Sequence, residues 1–437
     1  MRIAFAVNGT RGDVQPAAVL AHRLAERGHD VILGIPPNLG DAIAGSGMHV
    51  RRLGLDTQAQ LDHVSRARAA AGRDPIKLQR MLAEVRDLGW AEIVGDMAGV
   101  VEGADVVVTG FTTEQVAAMY ALRAAIPVIS LHHAPIRPNL SVGPLPAIGA
   151  RSTSLNRLQW ALADRALTAM TRRRDRELAG RVGGVPDDGP GWTRVRRAPG
   201  ADIQAYDPMF AVHDDPVWDR DSRRRPRPVV GFLDIPGRLR QRMGSQMRGT
   251  ASADVMSWIG RGEPPVYVGF GSMPLRDPAA VVGIVEWACR SVGRRALICA
   301  GWNRVDDMAA AVCDTSVVQV VDSIDHAVLA RCAVVVHHGG AGTTAAALRA
   351  GVPSVVCWFS SDQPFWGAEV SRLGVGVSLR FRKLDAMRLA AGLRASLDPA
   401  CVERARAMPS ALVGAQQAAD HAADVVESSV RPMRIVA

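Results

Sequence analysis

AVVVHHGGAGTTAAALRAGVPSVVCWFSSDQ, residues 333–363, predicts a buried strand, a glycine-rich turn, a helix and a second strand. The apolar run 333–336 has the length and composition of a strand in a parallel sheet. TTAAALRA propagates well as a helix, and Gly351 ends it. Glycines let a ligand approach the backbone closely, and free N–H groups at a helix start attract anions. The segment therefore predicts an anion site at the carboxyl end of a strand.

Three phosphate-binding patterns compete for this segment. A Walker A loop needs Gly-Lys-Ser/Thr, but the only two lysines, Lys77 and Lys383, do not follow a glycine loop. A dinucleotide fingerprint is matched by residues 340–345, with Asp362 as the acid further along. A nucleotide-sugar site would also use the two histidines before the loop and the acid–amide pair after the next strand, because imidazole can donate to a diphosphate and carboxylate and amide can hold sugar hydroxyls. The second and third patterns both stay open at this point.

HHGGAGTTAAALRAGVPSVVCWFSSDQPFWG resembles the donor-binding signature of inverting glycosyltransferases with the GT-B fold. It is similar in particular to bacterial enzymes that glycosylate glycopeptides, macrolides and mycobacterial glycolipids, and to sterol glucosyltransferases. The resemblance implies an α/β protein with two Rossmann-like, doubly wound parallel-sheet domains that face each other across a cleft. It also implies that the glycine loop binds the diphosphate of a nucleotide sugar and that Asp362 and Gln363 bind the sugar.

Composition favours a soluble two-domain protein. The 437 residues suit two domains of ordinary size, and 48% apolar against 22% charged residues favours well-buried cores. The formal charge of +9 comes almost entirely from arginine. A solvated basic surface explains it most simply, followed by anionic nucleotide donors or peripheral contact with an anionic membrane surface. Aromatic residues make up only 5% and do not alternate with basic ones, which argues against a nucleic-acid partner.

Cysteine usage and the N-terminus favour a cytoplasmic location. No cysteine belongs to a CxxC pair, so reduced thiols are expected. The opening residues MRIAFAVNGTRGD turn polar too soon for a signal peptide, and no run of eighteen uncharged apolar residues predicts a membrane span. The six cysteines all lie in the C-terminal half, at Cys289, Cys299, Cys313, Cys332, Cys357 and Cys401.

The α/β pattern occurs twice, and the boundaries follow from composition. Residues 1–210 are predicted as an acceptor-binding domain, in which residues 56–75 form a mobile polar loop. Residues 211–228, rich in charge and proline, are predicted as the linker. Residues 229–412 are predicted as the donor-binding domain. Residues 413–437 hold a final helix, and the resemblance implies that it packs back onto the first domain.

The candidate donor contacts follow predicted strands, where open α/β sheets carry their functional loops. By register with the family, His337 is the favoured phosphate contact, and Ser272 and Thr343 match positions near the diphosphate. A turn residue, a helix cap or a buried strand-end histidine are the structural alternatives. Many relatives carry Val-Pro where this chain has Ser323-Ile324, which leaves uridine against thymidine open. The full candidate set is Thr10, Arg11, Gly12, Ser272, Trp302, Ser323, His337, His338, Gly339, Gly340, Gly342, Thr343, Asp362 and Gln363.

Asp13 is the predicted general base. GTRGDVQP resembles the start of the glycopeptide, glycolipid and sterol glycosyltransferases, where the matching aspartate is the proposed base. The alternative is that Asp13 only caps the following helix. Plant-type relatives use a histidine in this domain, but none lies between Met1 and Val14. His132 and His133 are predicted acceptor contacts that could orient the base or replace it.

The predicted reaction is transfer from a UDP- or dTDP-sugar to a hydroxyl of a hydrophobic natural product or lipid. The acceptor class follows from the resemblance and, weakly, from the apolar, tryptophan-containing residues 134–200. Neither a metal nor a cofactor is expected, since the DxD run Asp219–Asp221 falls in the linker. A sugar-nucleotide epimerase, an NAD(P)-dependent oxidoreductase and a non-catalytic binding protein remain the alternatives. Oligomeric state does not follow from the sequence.

Overall fold

The computed structural model describes residues 1–44, 47–71, 88–144, 152–183, 191–236, 239 and 253–430. The chain divides into two compact units. The first unit comprises Met1–Met247 and Val413–Ala437, and the second comprises Arg248–Leu412. Each unit is built on its own six-stranded parallel sheet.

The first sheet has the strand order β3-β2-β1-β4-β5-β6. Its strands are apolar and buried because helices cover the parallel sheet on its faces, as in doubly wound folds. One core cluster packs β1 and β2 against the first and last helices of the unit. The strands are β1 Arg2–Ala6, β2 Asp30–Ile35, β3 His49–Arg52, β4 Val106–Gly110, β5 Val128–His132 and β6 Gly200–Gln204.

At least one helix follows each strand of the first unit, and two described helices lie between β5 and β6. The helices of this unit are α1 Arg11–Glu26, α2 Pro37–Ala44, α3 Thr57–Ala71, α4 Trp90–Val101, α5 Glu114–Ala124, α6 Thr153–Val182, α7 Gly191–Arg197, α8 Pro216–Arg224 and the C-terminal α16 Ala415–Val430, with a 3-10 turn at Pro208–Phe210. Within the described residues, no helix is long and apolar enough to cross a membrane.

The predicted linker 211–228 is wrong, because these residues belong to the first unit. Helix α8 lies within them, and Trp218 is buried. The chain then runs beside β6, where the Asp202 and Gln204 amides donate to the carbonyls of Pro226 and Pro228. Residues beyond 228, such as Leu233, still pack in the first core, so the second unit begins at Arg248 rather than at 229.

The prediction of a loop over 56–75 is also wrong for its described part. Helix α3 occupies Thr57–Ala71, and residues 72–75 lie outside the described chain. At the other end of the sequence, α16 packs on the first core. Its Asp420 accepts from Arg23 at 2.6 Å and from Arg27 at 2.7 Å, and both arginines belong to the α1 segment.

The second sheet has the order β12-β11-β10-β7-β8-β9. If its strands are renumbered from β7 and the sheet is read from the β9 edge, this is the strand order of the first sheet. The strands of the second sheet are β7 Val266–Gly269, β8 Ala296–Cys299, β9 Val318–Val321, β10 Val334–His337, β11 Ser354–Trp358 and β12 Gly376–Arg380. Its helices are α9 Ala253–Gly260, α10 Pro278–Ser291, α11 Val305–Ala310, α12 Ala341–Ala350, α13 Gln363–Arg372, α14 Ala386–Ser396 and α15 Pro399–Ala411, with 3-10 turns at His326–Arg331 and Phe381–Lys383.

Candidate functional site

The glycine turn of the second unit lies at the carboxyl end of β10, the strand between β7 and β11. His337, its last residue, is in register with Gly269 of β7 and Val356 of β11. The turns that follow these three strands therefore meet at one edge of the sheet. This edge collects most of the predicted donor contacts within a single rigid layer.

Helix α12 begins in this turn without a side-chain cap. Its N-cap residue is Gly340, which offers no oxygen to the N–H groups of the first helical turn. Thr344 donates its hydroxyl back to the Gly340 carbonyl at 3.0 Å, so it does not cap the amides either. Uncapped first-turn amides and the positive end of the helix dipole make an anion site. Gly342 is exposed and Thr343 is half-buried in this first turn.

His337 is fully enclosed, with no exposed surface. Its Nδ1 accepts a hydrogen bond from the Gly339 amide at 3.1 Å, which assigns the ring proton to Nε2. That Nε2 has no hydrogen-bond partner among the described residues. Burial, with help from the neighbouring His338 and His326, lowers the pKa of His337 to about 3. The ring is therefore a neutral donor whose proton is unused, an arrangement that costs about 1–3 kcal/mol in a buried site.

His338 lies half-buried in a cradle of glycines. A Cβ added to Gly340 would fall 2.5 Å from its Nε2, and a Cβ on Gly271 would fall 3.1 Å from its Cε1. Gly271 belongs to the turn after β7, so this ring joins the β7 and β10 turns. Burial lowers the pKa of His338 to about 4, which keeps the imidazole neutral at pH 7.

The turns after β7 and β8 approach each other closely. The Trp302 amide donates to the Gly271 carbonyl at 3.1 Å, and a Cβ on Gly301 would fall 2.3 Å from that oxygen. Asn303 pins the same turns, since its Oδ1 accepts from the Leu275 amide at 2.8 Å. Trp302 is half-buried, as is Ser272 beside Gly271. Both predicted contacts therefore belong to the same edge as the glycine turn.

Asp362 and Gln363 follow β11 and begin α13. The Asp362 carboxylate accepts from Trp366 Nε1 at 3.1 Å, and Ser361 before it has a left-handed φ of 61°. The Gln363 amide is buried and used internally, because its oxygen accepts from the Phe359 amide at 2.8 Å and its nitrogen donates to Met273 Sδ at 3.4 Å. The pair lies beside the glycine turn as predicted, but Gln363 would have to exchange these bonds to hold a sugar hydroxyl.

Ser323 lies after β9, two strands from β7. It lines a cavity of about 400 Å³ together with Trp258 and Asp322. If Ser323 contacts the nucleobase of the donor as predicted, the nucleobase lies on the β9 side of the glycine turn.

In the first unit, the β1–α1 turn closes on itself. Thr10 is the N-cap of α1 and accepts from the Gly12 amide at 3.3 Å. Asp13 Oδ2 accepts from the Thr10 amide at 2.8 Å and from the Thr10 hydroxyl at 3.2 Å. Arg11 donates to the Gln15 side chain at 3.0 Å. The amides of Thr10 and Gly12 are thus already used, which leaves little for a donor phosphate at these predicted contacts.

Asp13 is half-buried, and the removal of its carboxyl from water raises its pKa above the ordinary value, although the bonds from Thr10 oppose this. Only Oδ2 is used by the cap; Oδ1 accepts no hydrogen bond from the described residues. Gly9 is essential to this position, because a Cβ there would fall 2.3 Å from Oδ2. Capping and catalysis are therefore compatible, since each requires a different oxygen.

His132 and His133 at the end of β5 differ sharply. His132 is buried in an ionic network, 3.5 Å from Glu114, whose carboxylate pairs with Arg137 at 2.7 Å. Burial and the Arg137 charge lower the pKa of His132. His133 is half-buried, and burial lowers its pKa to about 4. Of these two predicted acceptor contacts, only His133 has exposed surface for a ligand.

Three residues that hold parts of the candidate site in place were not predicted from the sequence. Gly9 holds room for the Asp13 carboxylate, Met273 holds Gln363, and Asn303 ties two turns together. Gly9 is the first residue of the GTRGDVQP segment, so its closeness to Asp13 could have been predicted; the other two contacts join residues distant in sequence. In the part of the chain that the structure describes, no three His, Cys, Asp or Glu side chains are grouped to hold a metal ion.

Two family models match the chain. The model of the glycosyltransferase family 28 N-terminal domain matches residues 3–132. The model of the C-terminal domain of erythromycin biosynthesis protein CIII-like proteins matches residues 296–428. The first match lies within the first unit, and the second runs from β8 of the second unit to the C-terminal helix α16.

Relatives match along the full length. An uncharacterized glycosyltransferase of Mycobacterium tuberculosis is 35% identical, over 99% of this chain and 100% of its own. An uncharacterized glycosyltransferase of Mycobacterium leprae is 35% identical over 98% of this chain and 96% of its own. A sterol 3-beta-glucosyltransferase of Arabidopsis thaliana is 26% identical over 91% of this chain and 63% of its own.

Solved structures share the fold. A glycotransferase of kitacinnamycin has a TM-score of 0.66 and 20% identity, covering 98% of this chain and 99% of its own. The glycosyltransferase VinC, solved in complex with DTDP, has a TM-score of 0.63 and 17% identity, covering 98% of this chain and all of its own, 100%. With two parallel six-stranded sheets and full-length glycosyltransferase relatives, this chain belongs to the GT-B glycosyltransferases of the UDP-glycosyltransferase superfamily.

Proposed function

We propose that this protein is an inverting O-glycosyltransferase that moves a hexose or deoxyhexose from a UDP- or dTDP-sugar to a hydroxyl group of a hydrophobic natural product or lipid. The observation that carries the proposal is the β10–α12 turn. There, an uncapped helix start lies next to a buried imidazole with an unused N–H. A diphosphate supplies the oxygens and the negative charge that both groups lack.

The donor would occupy the edge of the second sheet. Its diphosphate would take hydrogen bonds from the amides of residues 339–343 and from His337, with Thr343 and His338 alongside. Its sugar would contact Asp362, and Gln363 after this amide has exchanged its internal bonds. Its base would lie toward Trp302 and Ser323. Two fold neighbours, the glycosyltransferases VinC and SsfS6, were solved in complex with thymidine diphosphate, which supports the class of donor.

Asp13 would act as the base. Oδ1, which the cap leaves unused, would accept the proton of the acceptor hydroxyl as its oxygen attacks C1 of the sugar. The C1–O bond to the diphosphate breaks in the same displacement, so the configuration at C1 inverts. The amides and neutral imidazoles of the glycine turn stabilise the charge that develops on the leaving diphosphate. A raised pKa makes Asp13 a stronger base than an ordinary aspartate.

The acceptor class follows from likeness, because the relatives include a sterol 3-beta-glucosyltransferase and the fold neighbours include a calicheamicin glycosyltransferase. His133, rather than the enclosed His132, would contact the acceptor. We place the reaction in the cytoplasm, with no metal and no cofactor beyond the nucleotide sugar.

A thermal-shift screen with UDP, dTDP, GDP, NAD and NADP tests the donor. Binding to the folded state raises stability by about 2.7 kcal/mol at a hundred times the Kd, so one nucleoside diphosphate should raise the melting temperature clearly. Stabilisation by NAD or NADP alone would overturn the proposal in favour of an oxidoreductase. Isomerisation of the sugar nucleotide without an acceptor would instead identify an epimerase. Donor binding with neither transfer nor hydrolysis would indicate a non-catalytic protein.

A further inference from the structure

Besides the cavity at Ser323, a second cavity lies in the first unit. None of the predicted donor contacts belongs to the segment 138–227 that lines it. It has a volume of about 790 Å³ and is bounded by α6, α7, α8 and the Asp202 position of β6. Among the described residues, seven arginines and three aspartates line it, so this part of the wall carries an excess of positive charge. The proposed reaction assigns this cavity no role.

The three aspartates are already paired. Asp202 accepts from Arg225 at 2.6 Å, and Asp164 accepts from Arg196 at 3.2 Å. Asp221 accepts from its neighbour Arg220 at 3.1 Å. Each of these three carboxylates thus already accepts a hydrogen bond from an arginine.

Arg227 is the most informative residue of the wall. It is only 8% exposed, yet its Nε and Nη1 have no hydrogen-bond partner among the described residues. Asp202 and Asp221 stand 3.9 Å and 3.7 Å from its guanidinium, beyond hydrogen-bond length. The guanidinium is held over the Trp218 ring, 4.5 Å from the centroid. Arg227 is thus within ion-pair distance of two carboxylates, but its buried Nε and Nη1 donors make no hydrogen bond, which is costly unless a further acceptor binds there.

Two further arginines face the same cavity from different helices. Arg157 lies on α6 and Arg224 on α8, and both are exposed. Neither forms an ion pair or a hydrogen bond within the described residues. One buried guanidinium with unused donors and two exposed guanidinium groups thus line the same cavity. A tetrahedral oxyanion with several charged oxygens satisfies such a set better than one carboxylate, since arginine forks match phosphate geometry.

We propose that this arginine cavity binds a phosphate group, carried either by a small soluble anion or by a lipid headgroup. The inference does not depend on the proposed sugar transfer, because none of the described lining residues has a role in that reaction. Burial also lowers the pKa of Arg227, and a bound anion would oppose that shift. Binding should weaken as salt is raised, because charge attraction provides much of it.

Hydrogen-exchange mass spectrometry on the full chain, titrated with inorganic phosphate, tests the soluble source. Peptides that cover 193–197 and 216–227 should gain protection, whereas a donor-loop phosphate would protect 337–343. The double variant Arg157→Gln/Arg224→Gln should raise the apparent Kd at least about tenfold, since two charge-assisted contacts are lost. Its matched control is Arg165→Gln/Arg172→Gln, which removes the same charge from exposed positions of α6 outside the cavity.

Flotation with vesicles of phosphatidylglycerol, against vesicles of phosphatidylcholine, tests the lipid source. Binding to the anionic vesicles that is lost in the cavity double variant and kept in the α6 control supports a headgroup phosphate. The inference is overturned if both double variants behave alike in both assays, or if phosphate protects only the 337–343 peptide. Loss of sugar transfer with intact phosphate protection at 193–197 would count against the proposed function alone.

Discussion

The turn that opens α1 and the turn that opens α12 both follow a buried parallel strand, but their first helical turns are completed in opposite ways. In the first unit, Thr10 and Asp13 satisfy the helix start with the chain's own oxygens. In the second unit, Gly340 provides no oxygen, and a buried N–H of His337 is also unused. One turn is closed by an internal carboxylate, and the other leaves its charge and donors for an external anion.

This contrast separates the two candidate roles. A carboxylate that already serves the amides of α1 excludes a phosphate there, so the first turn is suited to holding a base in place. The second turn is suited to holding a leaving group. Two domains with the same strand order can therefore support different chemistry, because different residues occupy the start of the helix after the strand.

The largest expected effect comes from Asp13→Asn. The amide oxygen still caps α1, but the side chain can no longer accept a proton, so turnover should fall about 10²- to 10⁴-fold. Stabilisation by the nucleoside diphosphate should be unchanged, because the donor residues are untouched. Steady-state kinetics and thermal shift measure the two quantities. Near-normal turnover would leave Asp13 with only its cap role.

The second prediction concerns the β10–α12 turn, where the helix start has no side-chain cap. Gly340→Ala would push a methyl group against His338 Nε2, to which a Cβ comes within 2.5 Å. Loss of one or two charge-assisted contacts should weaken diphosphate binding about tenfold to a hundredfold, measured by calorimetry. Gly283→Ala on α10 is the control, since a Cβ there meets nothing within 4 Å. Equal affinities for the two variants would contradict an anion site at this turn.

The third prediction concerns the β1–α1 turn, where Thr10 and Asp13 cap the helix. Gly9→Ala would place a Cβ 2.3 Å from Asp13 Oδ2 at a φ of +148°, so the carboxylate must leave the cap. We expect a loss of about 1–2 kcal/mol in the free energy of unfolding, measured by denaturant titration. Gly12→Ala is matched, because its Cβ would make only an ordinary contact at 3.6 Å with the Thr10 hydroxyl. A Gly9→Ala protein as stable as Gly12→Ala would show that the cap contributes little.

The smallest expected effect is a pH profile. The pKa values of about 3 for His337 and about 4 for His338 leave both rings neutral above pH 5. Affinity for an intact UDP- or dTDP-sugar should therefore change less than about twofold between pH 5 and 8. A tenfold rise for each unit of falling pH would mean that a protonated imidazole binds the diphosphate. Any activity loss as the pH falls should come from protonation of Asp13, because its raised pKa moves that protonation to higher pH.

Much of the fold was predictable because its signals are local. Apolar runs such as 333–336 and glycines such as Gly351 mark strands and helix ends within a few residues of chain. The positions of the candidate contacts followed, since the ends of parallel strands lie at one edge of a sheet. The family matches confirm the glycosyltransferase fold that the HHGGAGTT and GTRGD segments indicated.

Two of the three failures have one cause, which is charge that the fold buries. Residues 211–228 looked solvated, yet Arg225 and Arg227 are buried beside Asp202. The polar segment after residue 56 looked irregular, but its described part is the helix α3. His132 looked available at a strand end, yet Glu114 and Arg137 surround it. Composition cannot distinguish an exposed charge from one whose partner arrives from far along the chain.

The sequence by itself determined the two α/β halves, the glycine turn after a buried strand and the aspartate at the first helix, because each depends on neighbouring residues. Only the tertiary structure decided which atoms remain available: Oδ1 of Asp13 rather than Oδ2, the unused Nε2 of His337, and the idle guanidinium of Arg227. The physical reason is that hydrogen bonds between distant segments consume donors and acceptors. What they leave unsatisfied is where a ligand can bind.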